Sequence, residues 1–504
     1  MIMVARTRKI RKLLIANRGE IAMRVIRACR EMSIKSVAVF SDIDRNALHV
    51  LCADEAYPLG GALPRESYLN QQKIVELARA ASIDAIHPGY GFLAENPDFA
   101  ELVQEAGMIF VGPDPTAIRM LGDKTQARKV ARRLGVPTVS GTVEPLQDAV
   151  QGLREVEQLS FPVLLKAAAG GGGKGMRVVR SAGEFDSAFR TAQSEARSAF
   201  GDDRVYVEKY LDGPRHIEMQ ILGDSSGHVI YLGERECSIQ RRHQKVIEES
   251  PSVAVDAQMR QKLGDAAVRL AKEAGYANAG TMEFLLDAEG QFYFLEMNTR
   301  LQVEHPVTEE TTGIDLVRQQ ILVAEGENLP FRQDDIEHRG HAIECRVCAE
   351  DPENGFMPST GVLTHYEVPQ GKIRVENGFR AGDEISVYYD SLLAKVVAWG
   401  RSRPEAISAM ERSLREFRIE GVKTTIPFCE YVLGHKQFVE GTFNTSFVDK
   451  YFDPTILSQI SSDEMMAMAL SATLVSRNSS SSNHRQNDSP PSKWREGRLE
   501  NYRA

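Results

Sequence analysis

Apolar and polar positions follow two different periods along the first third of the chain. Short apolar runs typical of strands occur in KLLIA, SVAVF, DAIHPGY and MIFVGP. Between them, apolar residues recur at helical spacing in GEIAMRVIRACREM and NPDFAELVQEAG. This alternation predicts a parallel sheet with helices on its faces. Ligands tend to bind where such strands end, and Tyr90 lies in the glycine-flanked turn after one of them.

Beyond Gly135 the pattern changes towards strands. We predict a glycine-tipped hairpin, a helix near 182–197, a strand at RVYVEKYL, and a mostly strand-forming region over 215–399 with one helix near 257–274. A mixed segment follows to about Phe452. The stretch SSDEMMAMALSATL predicts a short helix, and the Ser-, Asn- and Pro-rich residues after it are expected to be disordered. The fold class is therefore a multidomain combination of α/β and α+β.

Composition and charge narrow the function classes. With 504 residues, two to four domains are expected, and the net charge of −9 offers no basic excess for binding nucleic acid. No window has the ~20 apolar residues of a membrane span, and the basic start MIMVARTRKIRKLL lacks an apolar signal core, so we expect a cytoplasmic protein. The six scattered cysteines are expected to be free thiols, with Cys345 and Cys348 as small buried side chains of one strand.

The stretch FPVLLKAAAGGGGKGMRVVR places a glycine run and a lysine between two apolar runs. A Walker loop is excluded, because Ala168 replaces its first glycine and Gly175 replaces its Ser or Thr. A dinucleotide fingerprint must open a helix, whereas MRVVRS predicts a strand. We therefore predict a hairpin whose glycine tip folds over a phosphate; an ordinary surface hairpin is the alternative.

The stretch TMEFLLDAEGQFYFLEMN predicts a second hairpin, with a two-residue turn at Glu289-Gly290. Symmetric pairing places Glu283 opposite Glu296, and Asn298 shares their face. Opposed carboxylates repel each other, and a hard cation such as Mg²⁺ would remove the conflict; a half-exposed hairpin with an acidic rim is the alternative. If the strand continues through EMNTRLQVEHPVTE, the same alternation directs a longer row of polar side chains to one surface, namely Glu296, Asn298, Arg300, Gln302 and Glu304.

Seven blocks between Lys12 and Lys450 resemble those of the biotin carboxylases, within the ATP-grasp ligases. In chain order they are IANRGEIAMRVIRAC, HPGYGFLAEN, GDK, GGGGKGMRVV, ERECSIQRRHQKVIEE, FLEMNTRLQVEHPVTE and HAIECRV. The resemblance implies an N-terminal Rossmann-like domain over 1–122, an ATP-grasp domain over 123–334 with a glycine-loop lid at about 138–211, a mixed α/β biotin carboxylase C-terminal domain over 335–452, and a tail over 453–504.

The resemblance also implies roles for individual residues. The implied ATP-binding residues are Lys124, Lys166, Gly170, Gly171, Gly172, Gly173, Gly175, Met176, Glu208, Lys209, Leu211, His216, Gln240, His243, Glu283, Leu285 and Glu296. Implied metal ligands, for Mg²⁺ or Mn²⁺ and for two ions, are Glu283, Glu296 and Asn298. Bicarbonate is assigned to Lys245, Arg300, Gln302, Val303 and the base Glu304, and biotin to Arg346 and Tyr90; the catalytic set is Glu304, Arg300, Arg346 and Lys245.

The implied activity is ATP-dependent carboxylation of biotin by bicarbonate through carboxyphosphate. The A-M-K-M turn of biotin-accepting domains does not occur in the sequence, so we expect biotin in trans on a biotin carboxyl carrier protein or domain, a further partner that is a carboxyltransferase subunit, and a homodimer. The final acceptor stays open among acetyl-CoA, propionyl-CoA, another acyl-CoA and pyruvate. A carbamoyl-phosphate synthetase fragment and a catalytically silent nucleotide-binding regulator are the alternatives.

Overall fold

The computed structural model describes residues 8–142, 144–167, 176–242, 244–458, 466 and 470, with the side chains of 199 and 200 left aside. The chain forms two compact units, Met1–Phe452 and Asp453–Ala504; in the second, Pro454–Ile456 form a 3₁₀ turn. Several predictions fall outside the described residues: the glycine positions Gly170, Gly171, Gly172, Gly173 and Gly175, His243, most of the predicted tail helix and the predicted disordered stretch.

The helices and strands of the described residues follow one another in this order. The helices are α1 Gly19–Glu31, α2 Leu48–Cys52, α3 Gln71–Ala80, α4 Pro97–Glu105, α5 Pro115–Gly122, α6 Lys124–Arg133, α7 Ala149–Leu159, α8 Ala182–Phe200, α9 Ala257–Glu273, α10 His305–Thr312, α11 Leu316–Ala324, α12 Arg403–Glu416, α13 Ile426–Gly434, α14 Lys436–Val439 and α15 Phe447–Tyr451. The strands are β1 Lys12–Ile15, β2 Lys35–Phe40, β3 Glu55–Pro58, β4 Ala85–His87, β5 Ile109–Phe110, β6 Val163–Ala167, β7 Met176–Val179, β8 Val205–Lys209, β9 Arg215–Gly223, β10 Val229–Arg241, β11 Gln244–Ser250, β12 Asn278–Leu286, β13 Phe292–Asn298, β14 His341–Cys348, β15 Glu350–Asp351, β16 Met357–Pro358, β17 Gly361–Val362, β18 His365–Glu367, β19 Arg374–Asn377, β20 Glu384–Ile385, β21 Leu392–Gly400 and β22 Arg418–Glu420.

The first sheet is parallel, in the order β3-β2-β1-β4-β5. In β1, Leu13, Leu14 and Ile15 are all fully buried, which explains why the strand is a continuous apolar run: both faces of the sheet are covered. Apolar residues of α1 pack with β1 in one core, and those of α3 and α4 pack in another. The predicted parallel sheet is confirmed, and Tyr90 follows β4 as expected.

A small antiparallel sheet, β7-β6-β8, carries the predicted glycine-tipped hairpin. Its strands β6 and β7 pair so that Lys166 lies opposite Met176. Helices α7 and α8 contribute to its core, which includes Val163, Val179 and Phe185. The two strands of the hairpin are thus confirmed, while its tip is outside the described residues.

The largest sheet is antiparallel and has the order β13-β12-β9-β10-β11-β14-β21-β19. Strand β11 pairs with β14 although about a hundred residues separate them in sequence. This pairing brings the region before 335 and the region after it into one continuous sheet. It also decides which side chains meet at the site, because Lys245 lies on β11 and Arg346 on β14.

The prediction of mostly strands over 215–399 is wrong at α10 and α11. Helix α10 contains threonine and valine, which favour strands, but Pro306 stands at its first turn and Gly313 closes it with a φ of +72°. The expected extended run to Glu304 is also wrong, since β13 ends at Asn298 and Glu304 caps α10. All six cysteines are free thiols as predicted, with Cys345 and Cys348 buried on β14. None of the helices in the described ranges has the length and apolarity needed to cross a bilayer.

Candidate active site

The hairpin of β12 and β13 carries the predicted acidic pair. Glu283 lies directly opposite Glu296, as predicted. The turn, however, is one residue longer than expected: Asp287 N–H donates to the Gln291 carbonyl at 2.9 Å, which leaves 288–290 as a three-residue loop. That loop shifts the register by one, and a bulge at Leu295 shifts it back. The two register shifts cancel, so that Glu283 and Glu296 face each other as they would with the shorter turn.

Polar side chains from the last residue of β13 onward converge on Glu283 through a turn and not through an extended strand. Asn298 Nδ2 donates to Glu283 Oε1 at 2.7 Å, and Gln302 Nε2 donates to the same oxygen at 3.2 Å. Arg300 bridges the two amides, donating to Asn298 Oδ1 and to Gln302 Oε1 at 3.1 Å each. The structure therefore brings these four predicted residues together by hydrogen bonds among themselves.

Lys245 is the central cation of this cluster. Its Nζ lies 3.0 Å from Glu283 Oε1 and 2.9 Å from Glu304 Oε1, and it also pairs with Glu218. Burial opposes the charge on Lys245, but the Glu283 and Glu304 carboxylates outweigh it and raise the pKa of the ammonium group. Lys245 therefore remains a fixed positive charge at the end of the acidic hairpin.

Glu304 is fully buried between two cations. Its Oε1 accepts from Lys245, and its Oε2 accepts from Arg346 Nη2 at 2.9 Å. Burial would raise the pKa of this carboxyl, but Lys245 and Arg346 hold it below the usual range for a glutamate. Arg346 also donates through Nε to Glu248 Oε1 at 2.6 Å. Glu304 is thus an ionised acceptor whose basicity depends on how strongly its two cations are engaged.

A cavity of about 530 Å³ opens beside this cluster. It lies among α6, the small sheet and the large sheet, and its size suits a ligand of several hundred daltons. Its lining includes these predicted residues: Lys124, Lys166, Met176, Glu208, Lys209, Leu211, His216, Gln240, Lys245, Glu283, Leu285 and Glu296. The structure therefore gathers around one cavity those predicted nucleotide-binding residues that fall within the described ranges.

The two predicted phosphate-binding lysines of the cavity are paired with acids. Lys124 Nζ lies 2.6 Å from Glu296 Oε2, and Lys166 Nζ lies 2.7 Å from Glu208 Oε2. Burial opposes ionisation of Glu208, but Lys166 and Arg128 lower its pKa to about 2. Sequence reasoning missed Arg128, although its position one helical turn after Lys124 on α6 is a usable signal.

Two further buried residues behind the site were also missed. Glu218 on β9 lies opposite Glu283, and the fully buried Arg235 donates to its Oε2 at 3.0 and 3.1 Å. Arg235 also donates to three neutral side chains, those of Gln220, Thr281 and Thr308. Arg235 and Lys245 together compensate the Glu218 charge.

The acidic hairpin is chemically suited to a hard cation. Glu283 and Glu296 offer carboxylate oxygens and Asn298 an amide oxygen, the ligand types that Mg²⁺ prefers. His216 Nε2 lies 3.2 Å from Glu283 Oε2. Lys124 and Lys245 engage the two carboxylates in the structure, so the donor set is already organised around positive charge.

Tyr90 and Val303 both contact one buried lysine, which sequence reasoning did not identify. Lys395, fully buried on β21, donates to the Val303 carbonyl at 2.7 Å and lies 5.8 Å from the centre of the Tyr90 ring. Its position opposite Arg346 on β14 places it at the same site. Tyr90 therefore stands at the Arg346 end of the cluster, away from the cavity lining.

Known protein families match nearly the whole described chain. Family models match as "Biotin carboxylase, N-terminal domain" over 9–118, "Carbamoyl-phosphate synthase L chain, ATP binding domain" over 123–332, and "Biotin carboxylase C-terminal domain" over 344–450. Biotin carboxylase 1 of Bacillus subtilis is 52% identical over 444 residues, covering 88% of this chain and 99% of the relative. A pyruvate carboxylase subunit of Methanothermobacter thermautotrophicus is 50% identical over 468 residues, covering 92% and 95%.

Among solved structures, one similar protein is the biotin carboxylase domain dimer of Hydrogenobacter thermophilus 2-oxoglutarate carboxylase, in complex with MgADP, ADP and bicarbonate. It is 48% identical, with a TM-score of 0.86, and the match covers 89% of this chain and 98% of that one.

Proposed function

The chain belongs to the biotin carboxylase family, and we propose that it is a ligase that carboxylates biotin with bicarbonate and ATP through carboxyphosphate. The observation that carries this proposal is the buried Lys245–Glu304–Arg346 cluster beside the cavity. It supplies a carboxylate base between two fixed cations, next to a volume that fits a nucleotide.

We assign the nucleotide to the cavity. Lys124 and Lys166 bind its phosphates together with the glycine run over 170–175, and Glu208, Lys209 and Leu211 lie at its base and sugar. Glu283, Glu296 and Asn298 hold Mg²⁺ or Mn²⁺, for which two ions are proposed. A bound divalent ion neutralises charge on the transferring phosphoryl group. Lys124 and Lys245 would then exchange carboxylate partners for phosphate and bicarbonate oxygens.

The first step uses Glu304 as a general base. Bicarbonate is held by Lys245, Arg300, Gln302 and the Val303 N–H, within reach of the Glu304 carboxylate. When bicarbonate binds to Lys245, the ammonium group binds the Glu304 carboxylate less strongly. The basicity of Glu304 then rises towards the level that proton abstraction needs. The proton passes to Glu304, the bicarbonate oxygen bonds to the γ-phosphorus, and the bond to ADP breaks.

The second step uses Arg346. Carboxyphosphate breaks down to CO₂ and phosphate, phosphate removes the proton from the biotin ureido nitrogen, and that nitrogen bonds to CO₂. Negative charge that develops on the ureido oxygen is stabilised by the Arg346 guanidinium, whose position is fixed by Glu248 and Glu304. Tyr90 packs beside the biotin ring, close to Lys395.

We propose the sequence-derived domains as the units of this mechanism: 1–122, 123–334 with the lid at about 138–211, and 335–452. We further propose a homodimer, biotin presented by a carrier protein or domain on another chain, a separate carboxyltransferase subunit, and a cytoplasmic location. Relatives from a pyruvate and a 2-oxoglutarate carboxylase are 50% and 48% identical to this chain, which supports acceptor choice by the carboxyltransferase.

The experiment that tests the function mixes the protein with ATP, Mg²⁺, bicarbonate and free biotin, and measures ADP release. Release that biotin stimulates and that requires bicarbonate supports the proposal. Retention of ATP without turnover would instead identify a nucleotide-binding regulator, and carbamoyl phosphate formed with added ammonia would identify a carbamoyl-phosphate synthetase activity.

A further inference from the structure

Glu344 is a buried acid that has no role in the mechanism above. Glu344 lies on β14, two residues before Arg346 and on the same face of the sheet. It is fully buried, and neither carboxyl oxygen has a hydrogen-bond partner among the residues that the structure describes. Ala342 and Val397, which share this face, form an apolar cluster with Val307 of α10, so the surroundings of Glu344 offer little solvation.

Charged groups face Glu344 from the packed elements, but within the described ranges none of them donates a hydrogen bond to its carboxyl. Glu248 on β11 lies directly opposite it, and Arg346 donates its hydrogen bonds to Glu248 and Glu304. On β21, Lys395 donates to the Val303 carbonyl and lies 3.2 Å from Glu20.

The titratable groups of α10 near this face do not supply positive charge. His305 is buried, and burial together with Lys395 and neighbouring arginines holds its pKa well below the usual range for an imidazole. Its ring is therefore neutral. Glu304, which caps α10, is an anion, so it opposes a second negative charge at Glu344.

An ionised Glu344 would therefore be unpaired, desolvated and opposite another carboxylate. A buried carboxyl without a partner shifts its pKa upward and becomes neutral. Like charges directly opposite each other on paired strands also destabilise the sheet. Burial raises the pKa of Glu344 well above its ordinary value; Lys395 and Arg346 oppose that shift, and Glu248 and Glu304 add to it. Burial raises the pKa of Glu248 as well, but Arg346 contacts that carboxyl through both Nε and Nη2, so that Glu344 is the member of the pair that carries the proton.

We propose that Glu344 is held as a neutral carboxylic acid, and that this neutrality limits Arg346 to two anionic neighbours, Glu248 and Glu304, instead of three. Arg346 then keeps enough positive field to stabilise the anion that develops on biotin. Glu344 is thus a positioning residue that acts through Arg346. The consequence for catalysis rests on the function proposed for Arg346, whereas the protonation of Glu344 does not.

Infrared difference spectroscopy on the full chain tests the protonation directly. At pH 8, wild type should show the C=O stretch of a protonated carboxyl, and this band should be absent from Glu344→Gln and from Glu344→Met. The second variant has an apolar side chain of similar length, so that it suits the apolar surroundings if a buried amide prevents folding. Glu337→Gln is the matched control, since that side chain is 67% exposed, and it should retain the band. A wild-type spectrum without a band that these variants remove would overturn the proposal.

The pH dependence of biotin-stimulated ADP release tests the consequence. In wild type the rate should fall at alkaline pH as Glu344 ionises beside Arg346, and in Glu344→Gln that fall should move upward by about one pH unit or more. If the rates of wild type and Glu344→Gln fell at the same alkaline pH, the link to Arg346 would be overturned. If the band behaves as expected but wild type shows no biotin-stimulated release at any pH, the proposed function fails while the protonation stands.

Discussion

Replacing Glu304 by glutamine separates its role as a base from its role in holding the site together. The amide keeps the shape of the carboxyl but cannot take a proton from bicarbonate. General bases contribute about 10²–10⁴-fold to rate, so bicarbonate-dependent ATP cleavage should fall by at least about 100-fold. Folding should suffer less, because Lys245 keeps Glu218 and Glu283 and Arg346 keeps Glu248. One ionic hydrogen bond is weakened, and the other is lost because the amide NH₂ cannot accept from a cation. Together these changes should cost about 3 kcal/mol of unfolding free energy.

Two assays on the same preparations decide the outcome. ADP release with and without bicarbonate measures the chemical step, and calorimetric titration with a non-hydrolysable ATP analogue measures nucleotide affinity. Glu304 is not among the residues that line the cavity, so affinity should remain close to that of wild type, as it should in the exposed control Glu337→Gln. Equal losses of affinity and of ATP cleavage in Glu304→Gln would show that Glu304 is structural and refute its assignment as the base.

Three further variants test separate parts of the structure. Arg346→Ala should impair carboxylation of free biotin far more than bicarbonate-dependent ATP cleavage, and parallel losses would contradict its place in the second step. Arg235→Met removes the buried partner of Glu218, so the unfolding free energy in urea should drop by about 3 kcal/mol or more; a negligible change would refute this. The pKa of Glu208 is about 2 instead of 4.5. Its ionisation therefore adds about 3 kcal/mol to the free energy of unfolding above pH 4.5, and this contribution is lost as the pH falls towards 2. In Glu208→Gln the free energy of unfolding should fall less between pH 4.5 and 2 than in wild type. The same fall in both proteins would contradict the lowered pKa.

Local patterns predicted the fold where contacts are local. The alternation of apolar strands and amphipathic helices gave the parallel sheet, since β1 and α1 each bury what their own period predicts. The pair Glu283–Glu296 was predicted correctly although the turn was not, because the bulge at Leu295 compensates the longer loop. No feature of the sequence predicts that bulge.

Other features depend on contacts that a local pattern does not contain. Helix α10 forms in a segment rich in threonine because it is buried against the large sheet, so that packing overrides propensity. Glu218 and Arg235 lie on a sheet face that would be solvated if α10 did not cover it. The meeting of Lys245 with Arg346 depends on the pairing of β11 with β14, which spans about a hundred residues. The resemblance to a family supplied Lys245 and Arg346 but not Glu218 and Arg235, and the structure supplies the geometry of all four.

Transfer of isotopic oxygen tests the central claim most directly. With ATP, Mg²⁺, free biotin and bicarbonate that carries ¹⁸O, the proposed attack of a bicarbonate oxygen on the γ-phosphorus places the label in the phosphate released by wild-type protein. Mass spectrometry of that phosphate should detect the label in proportion to ADP formed. Phosphate that contains oxygen from water alone would contradict carboxyphosphate formation and the roles proposed for Glu304 and Lys245.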